Sequence, residues 1–160
     1  MIALDTDVLV RCLTLDDPSQ VPAAEALLAH RDGVFVAKTV LLELEWVLRT
    51  ACKLPRPDIH SAIGKLLGLA NLNTESPGQV SQALDGCSRG LDFADAMHLA
   101  ASAADEGMFT FDVRFVGVAA AAGLNVHLGR RAGRACQVVH CGAMIGGKRG
   151  GVIRLIAITR

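Results

Sequence analysis

The chain has 160 residues, 51% of them apolar and 20% charged, which is enough length and hydrophobicity for one folded domain with a real core. Formal net charge is zero, Tyr is absent and aromatics make up 4%, so an extended base-stacking surface of the single-strand-binding type is not expected. No apolar run reaches the roughly 18 residues of a membrane span, and no leader pattern precedes the body.

The charge balance hides an asymmetry. Residues 1–129 hold all 16 acids and nine of the 16 Lys/Arg, a net of −7; residues 130–160 hold seven basic residues and no acid, a net of +7. An acidic body suggests a cation-binding cleft, and a basic tail suits a nucleic-acid arm or a solvated extension. The five cysteines, Cys12, Cys52, Cys87, Cys136 and Cys141, are odd in number and scattered, which fits free thiols in a reducing cytoplasm.

In chain order, "IAL" before Asp5 reads as a short buried strand. "DDPSQVPAAEALLAH" reads as a helix capped by Asp17 or Ser19, with Pro18 or Pro22 in its first turn. "GVFVA" is a second strand, and Thr39 is expected to cap the helix "VLLELEWVLRTACK", which Pro55 and Pro57 break. "DIHSAIGKLLGLANL" is a third helix, closed by a turn at Asn71 and Asn73; Ser76-Pro77 opens a fourth. "DFADAMHLAASAADEG" is a fifth, closed by Gly107. "MFTF" is a strand ending at Asp112, "VRFVGVAAAAG" a short helix and "LNVHL" a last strand.

Strands alternating with helices argue for an α/β fold with a mainly parallel sheet of four to five strands, covered on both faces. After residue 129 the pattern fails, apart from a β-like stretch in "GVIRLIAI". The domain organisation is therefore read as 1–129 for the folded unit and 130–160 for a basic, Gly-rich extension.

Ligands of open parallel sheets sit beyond the carboxyl ends of the strands. Asp5 and Asp112 end strands there, Glu43 lies one turn into the helix after the second strand, and Asp92 and Asp95 lie in the first turn of the fifth helix. Taken singly, Asp92 is the ordinary dipole-stabilising cap. Taken together, four segments aim carboxylates at one edge. Glu45 has Arg49 four residues on, a favourable solvent pair, whereas Glu43 shares a face with Val40, Trp46 and Val47 and is expected to be the partly buried acid. Clustered acids repel and take up protons unless a cation is present. Oxygen donors select Mg²⁺ or Mn²⁺, and the lack of a Cys/His set at this edge disfavours zinc.

The segments "IALDTDVLVRCL", "LLELEWVLR", "LDFADAMHLAAS" and "TFDVRF" resemble the signature segments of the PIN domain, in its VapC-type bacterial toxin branch. The resemblance covers about residues 1–128 and implies a three-layer α/β/α fold. It implies that Asp5, Glu43, Asp95 and Asp112 form the catalytic acidic quartet, with Asp5, Asp95 and Asp112 as ligands of Mg²⁺ or Mn²⁺. Asp92 is a further acid there, and Thr6 and Thr110 place hydroxyls near the metal-bound water or the phosphate. The implied activity is endoribonuclease cleavage of RNA by a metal-activated water. The implied partners are a cognate antitoxin and a second copy of the chain, with no membrane.

Two features depart from the family: Asp7 stands where Asn is usual, and the tail from Arg130 is foreign to it. Arg11, Lys38, Arg49 and Arg114 flank the acids and are candidate RNA-phosphate contacts, although each alone is an ordinary surface cation. His98, in an apolar stretch, is expected to be packed or hydrogen-bonded rather than a ligand.

Other readings compete. An inactive PIN module acting by partner binding is one alternative. "LDTDVL" also resembles the opening of haloacid-dehalogenase phosphatases, in which Asp5 would be a covalent nucleophile; Val8 replaces the usual Gly and no Lys lies between Lys65 and Lys148. In the tail, "GAMIGGKR" lacks the Ser/Thr of a phosphate-binding loop, and Cys136, His140 and Cys141 suit metal geometry poorly.

Overall fold

The computed structural model describes residues 1–129. The tail features, "GVIRLIAI", "GAMIGGKR" and the Cys136/His140/Cys141 group, lie outside the described residues. Twelve elements follow one another: β1 (Ile2–Ala3), α1 (Thr6–Thr14), α2 (Val21–Leu28), β2 (Val34–Val36), α3 (Lys38–Thr50), α4 (Arg56–Leu67), β3 (Leu72–Thr74), α5 (Pro77–Ser88), α6 (Phe93–Ala101), β4 (Met108–Thr110), α7 (Val113–Ala121) and β5 (Val126–Leu128). The α/β alternation and the parallel pairing are those the sequence predicts.

The five strands do not make one hydrogen-bonded sheet among the described residues. β1, β2 and β3 form one parallel ribbon, with Ile2 opposite Val34 and Val36 opposite Thr74. β4 and β5 form a second, with Met108 opposite Val126 and Thr110 opposite Leu128. β1 is only two residues long, and the amides of Ile2 and Leu4 donate to Gly33 and Phe35 on the β2 side.

Two elements have no counterpart in the sequence reading. Residues 6–14 form α1, capped by Asp5 and ended by Leu15 in the left-handed region at φ 55°. Leu72–Thr74 form β3, where only an Asn-rich turn was expected. Caps also differ. Ala37, not Thr39, precedes α3, so Thr39 is inside the helix, and α2 starts after Gln20 without a side-chain cap. Asp17 instead accepts from the amide and hydroxyl of Ser19, a local turn. α6 stops at Ala101, short of Gly107, whose φ of 140° still marks the turn into β4.

One apolar cluster holds the unit together, running from Leu4 and Leu9 through Val34, Val36, Ile59, Ile63 and Phe93 to Phe115 and Val126. α3 contributes Leu41, Leu44 and Leu48, all fully buried at i, i+3 and i+7. α5 and α6 pack closely at Gly86, where an added Cβ would lie 3.1 Å from both Ala96 Cβ and Leu91 Cδ1. No helix among the described residues is long and apolar enough to cross a membrane.

Candidate active site

Three of the acids named from sequence are helix N-caps. Asp5 Oδ1 accepts from Val8 N at 3.1 Å, Asp92 Oδ1 from Ala94 N at 3.1 Å, and Asp112 Oδ1 from Phe115 N at 3.0 Å. The capping role and a ligand role do not compete. A cap uses one carboxylate oxygen and fixes the direction of the other. At Asp92 the second oxygen receives Arg56 Nη2 at 2.7 Å. Asp5 and Asp112 follow β1 and β4, at the carboxyl ends of parallel strands where ligands of such sheets sit.

The acids fall into two sets. In the first, α1 meets α3: the buried Thr6 donates its hydroxyl hydrogen to Glu43 Oε2 at 2.6 Å, next to Asp5. In the second, Asp92, Asp95 and Asp112 line a cleft of about 200 Å³ together with Arg56, Leu91 and Arg114. Burial, and then the charges of Asp92 and Asp112, push the Asp95 carboxyl above the usual carboxylate range. Thr110 Oγ1 accepts from the Asp112 amide at 3.0 Å and so positions the cap backbone. Asp7 is exposed in the first turn of α1.

Glu43 and Glu45 exchange the environments expected of them. Glu43 is exposed, whereas Glu45 is 3% exposed and bound to Arg49 at 2.9 Å. The reason is the helical stripe: Leu41, Leu44, Glu45 and Leu48 occupy i, i+3, i+4 and i+7, which places Glu45 in the core-facing row. Trp46, expected beside Glu43 on a packed face, is 55% exposed. His98, expected to be packed or hydrogen-bonded, is exposed.

Of the candidate phosphate contacts, three are engaged within the chain. Arg11 pairs with Asp16 at 2.7 Å, Arg49 with Glu45, and Lys38 donates to Gln79 Oε1 at 2.8 Å and lies 3.8 Å from Glu75. Arg114 has no ion-pair partner among the described residues and lies in the acidic cleft. Arg56 is the residue that sequence reasoning missed. It sits between two prolines at the start of α4, and no local pattern links it to Asp92, 36 positions away.

The chemistry available is oxygen chemistry. The free thiol of Cys87 is buried and pushed up to about 12 by that burial, too high for a nucleophile. Among the described residues no three acid, His or Cys side chains stand close enough to form a closed metal cage. The donor set nevertheless suits a hard divalent cation. Magnesium typically takes one or two carboxylates and completes its shell with water and substrate phosphate, and Asp95 beside Asp92 and Asp112 is held in the repulsion such an ion relieves. A larger cavity of about 310 Å³, between α5, α6 and the entries to β4 and β5, lies at the opposite ends of the strands and lacks a comparable acid cluster.

Among solved structures, the chain is similar to the crystal structure of Mycobacterium tuberculosis VapC20, described as a sarcin-ricin loop cleaving toxin. The identity is 21% and the TM-score 0.39, over 78% of this chain and 96% of that one. No curated protein matches it. The family model for the PIN domain matches residues 2–121, three quarters of the sequence. The chain belongs to the PIN domain family.

Proposed function

We propose that this PIN-domain chain is a Mg²⁺- or Mn²⁺-dependent endoribonuclease, the toxin of a type II toxin–antitoxin pair acting in the cytoplasm. Residues 1–129 carry the reaction and residues 130–160 form a basic extension. The observation that carries this reading is the placement of carboxylates beyond the strand ends, with Asp95 held among Asp92, Asp112 and Arg114 in one cleft. The cation, when bound, polarises a phosphoryl oxygen and makes a bound water a stronger nucleophile.

The chain's own residues do the rest. In this reading Asp5, Asp95 and Asp112 would be the cation's ligands, Asp95 and Asp112 from the cleft and Asp5 from the Thr6/Glu43 side. Glu43, oriented by the Thr6 hydroxyl, takes the proton from the attacking water. Arg56 neutralises Asp92, so that the cleft does not carry three uncompensated charges. Arg114 receives a substrate phosphate. Asp7 adds a carboxylate on α1 that strengthens attraction for the cation. The partners are an RNA substrate, a cognate antitoxin that obstructs the cleft, and a second copy of the chain. Family membership removes support from the phosphatase alternative, and the presence of all four acids argues against an inactive module.

The test is incubation of the pure chain with RNA in Mn²⁺ and in EDTA, beside Asp5→Ala, with binding of Mn²⁺ followed separately by quenching of the only tryptophan, Trp46, one helical turn from Glu43. Cleavage in Mn²⁺ alone, lost in the variant, supports the reading. Cleavage that persists in EDTA or in Asp5→Ala overturns it.

A further inference from the structure

The chain has six aromatic residues, five Phe and one Trp, and they are not all in the core. Phe93 and Phe115 are buried, but Phe109 is 70% exposed and Phe111 77% exposed. Phe109 lies in β4 and Phe111 in the bend directly after it, two residues on, so two exposed rings stand close together in the chain. Phe109 sits opposite His127 of β5, and the two rings stack at 5.0 Å between centroids with a tilt of 34°. Val113, 70% exposed, continues the surface at the first residue of α7. Leaving two large apolar rings in water has a cost that the described residues offset only in part, through the Phe109–His127 contact.

What distinguishes this surface from an ordinary apolar patch is its neighbour. Phe111 directly precedes Asp112, and Arg114 follows two residues later in the acidic cleft. Flat rings with a cation beside them, at the mouth of a site for phosphodiesters, match an unpaired nucleotide: a base for the rings and a phosphate for the guanidinium. Duplexed bases offer no free face to such rings.

We propose that Phe109, Phe111 and His127 form a stacking platform for unpaired bases of single-stranded RNA, which seats the adjoining phosphate at Arg114. This rests on the ribonuclease reading and deepens it, since it makes an unstacked base next to the scissile bond a requirement of the substrate. The platform is sequence-tolerant, because every base has a π-face, and it is small, in keeping with an aromatic content of 4%.

The test uses the full-length chain in EDTA and an unstructured RNA oligonucleotide, with two counterparts: the same strand carrying abasic positions, and its duplex. Affinity is read by fluorescence anisotropy. The wild type should prefer the intact single strand over both counterparts. Phe109→Ala/Phe111→Ala should weaken binding of the intact strand by roughly tenfold or more, and should bind it no better than the abasic strand. Phe111→Trp should retain affinity, which guards against a folding defect. Equal affinity of wild type and double variant for the intact strand overturns the proposal. So does a double variant whose RNA affinity is unchanged while its mass in sedimentation falls, which would make this face a protein contact. Cleavage of the same oligonucleotide in Mn²⁺ is scored separately, so loss of the platform and loss of the nuclease reading give different results.

Discussion

Thr6 and Glu43 are joined by a hydroxyl-to-carboxylate hydrogen bond of 2.6 Å that ties the first turn of α1 to the middle of α3. Glu43 is an exposed glutamate with three side-chain torsions, and a buried Thr6 is what restricts it. Replacing Thr6 with valine keeps the shape and removes the donor. Stability should fall by only about 1 kcal/mol, because the freed carboxylate can turn to water. RNA cleavage should fall roughly tenfold or more, because Glu43, the proposed proton acceptor, is no longer held in place. Thr6→Ser should recover most of the rate. Single-turnover cleavage and thermal melts of the three chains check this.

Asp95 offers a test in which activity and stability move in opposite directions. Burial and two neighbouring acids raise its carboxyl above the usual range, so the folded state holds this proton more tightly than the unfolded chain does. Stability from this group therefore falls as pH rises from the ordinary carboxylate value through the raised folded one, and at neutral pH the ionised form costs free energy. Asp95→Asn should melt higher than wild type at pH 7, with the difference closing as pH drops below the ordinary carboxylate value. Cleavage should be lost. A melting temperature at pH 7 equal to or below that of wild type would contradict this electrostatic account.

The order of the candidate acids along the elements was more legible than their arrangement in space. Asp5 and Asp112 were legible as acids that close apolar runs, and Asp92 and Asp95 as acids three apart at a helix start; both signals are written locally. α1 was not legible, since it follows Asp5 at once and ends at a left-handed leucine, Leu15, rather than at a glycine or proline. β3 was missed because its three residues, Leu72, Asn73 and Thr74, lack an apolar run and are strand only by pairing with β2. The Glu43/Glu45 exchange was readable, by contrast: the Leu41/Leu44/Leu48 row places Glu45 inside. Arg56 was beyond reach, because its contact with Asp92 spans 36 residues.

Glu45 and Arg49 predict an asymmetry between their two deletions. The Glu45 side chain is 4% exposed and that of Arg49 33%. Removing Arg49 strands a carboxylate in the core row of α3; removing the charge of Glu45 leaves a guanidinium that can reach solvent. Arg49→Ala should therefore cost on the order of 3 kcal/mol, and Glu45→Gln roughly 1 kcal/mol. Denaturant midpoints at neutral pH measure both. Equal costs would mean that Glu45 escapes to water when its partner is removed.

The basic tail bears on how the proposed ribonuclease, with an acidic body, would bind RNA. Residues 1–129 carry a net charge of −7, which by itself repels a polyanion, and the seven cations of residues 130–160 cancel that charge overall. In the parallel β4–β5 pair, Leu128 is level with Thr110, two residues before Asp112, so the chain leaves β5 at the same strand end as the acids. If the tail meets phosphates, changing Arg130, Arg131, Arg134, Lys148, Arg149, Arg154 and Arg160 to Gln should weaken RNA binding. The slope of log affinity against log salt should become shallower by about 0.7 for each phosphate the tail no longer neutralises. Cleavage at saturating RNA should stay near the wild-type rate, because none of these residues belongs to the acid set. An unchanged salt slope would assign the tail no part in RNA binding.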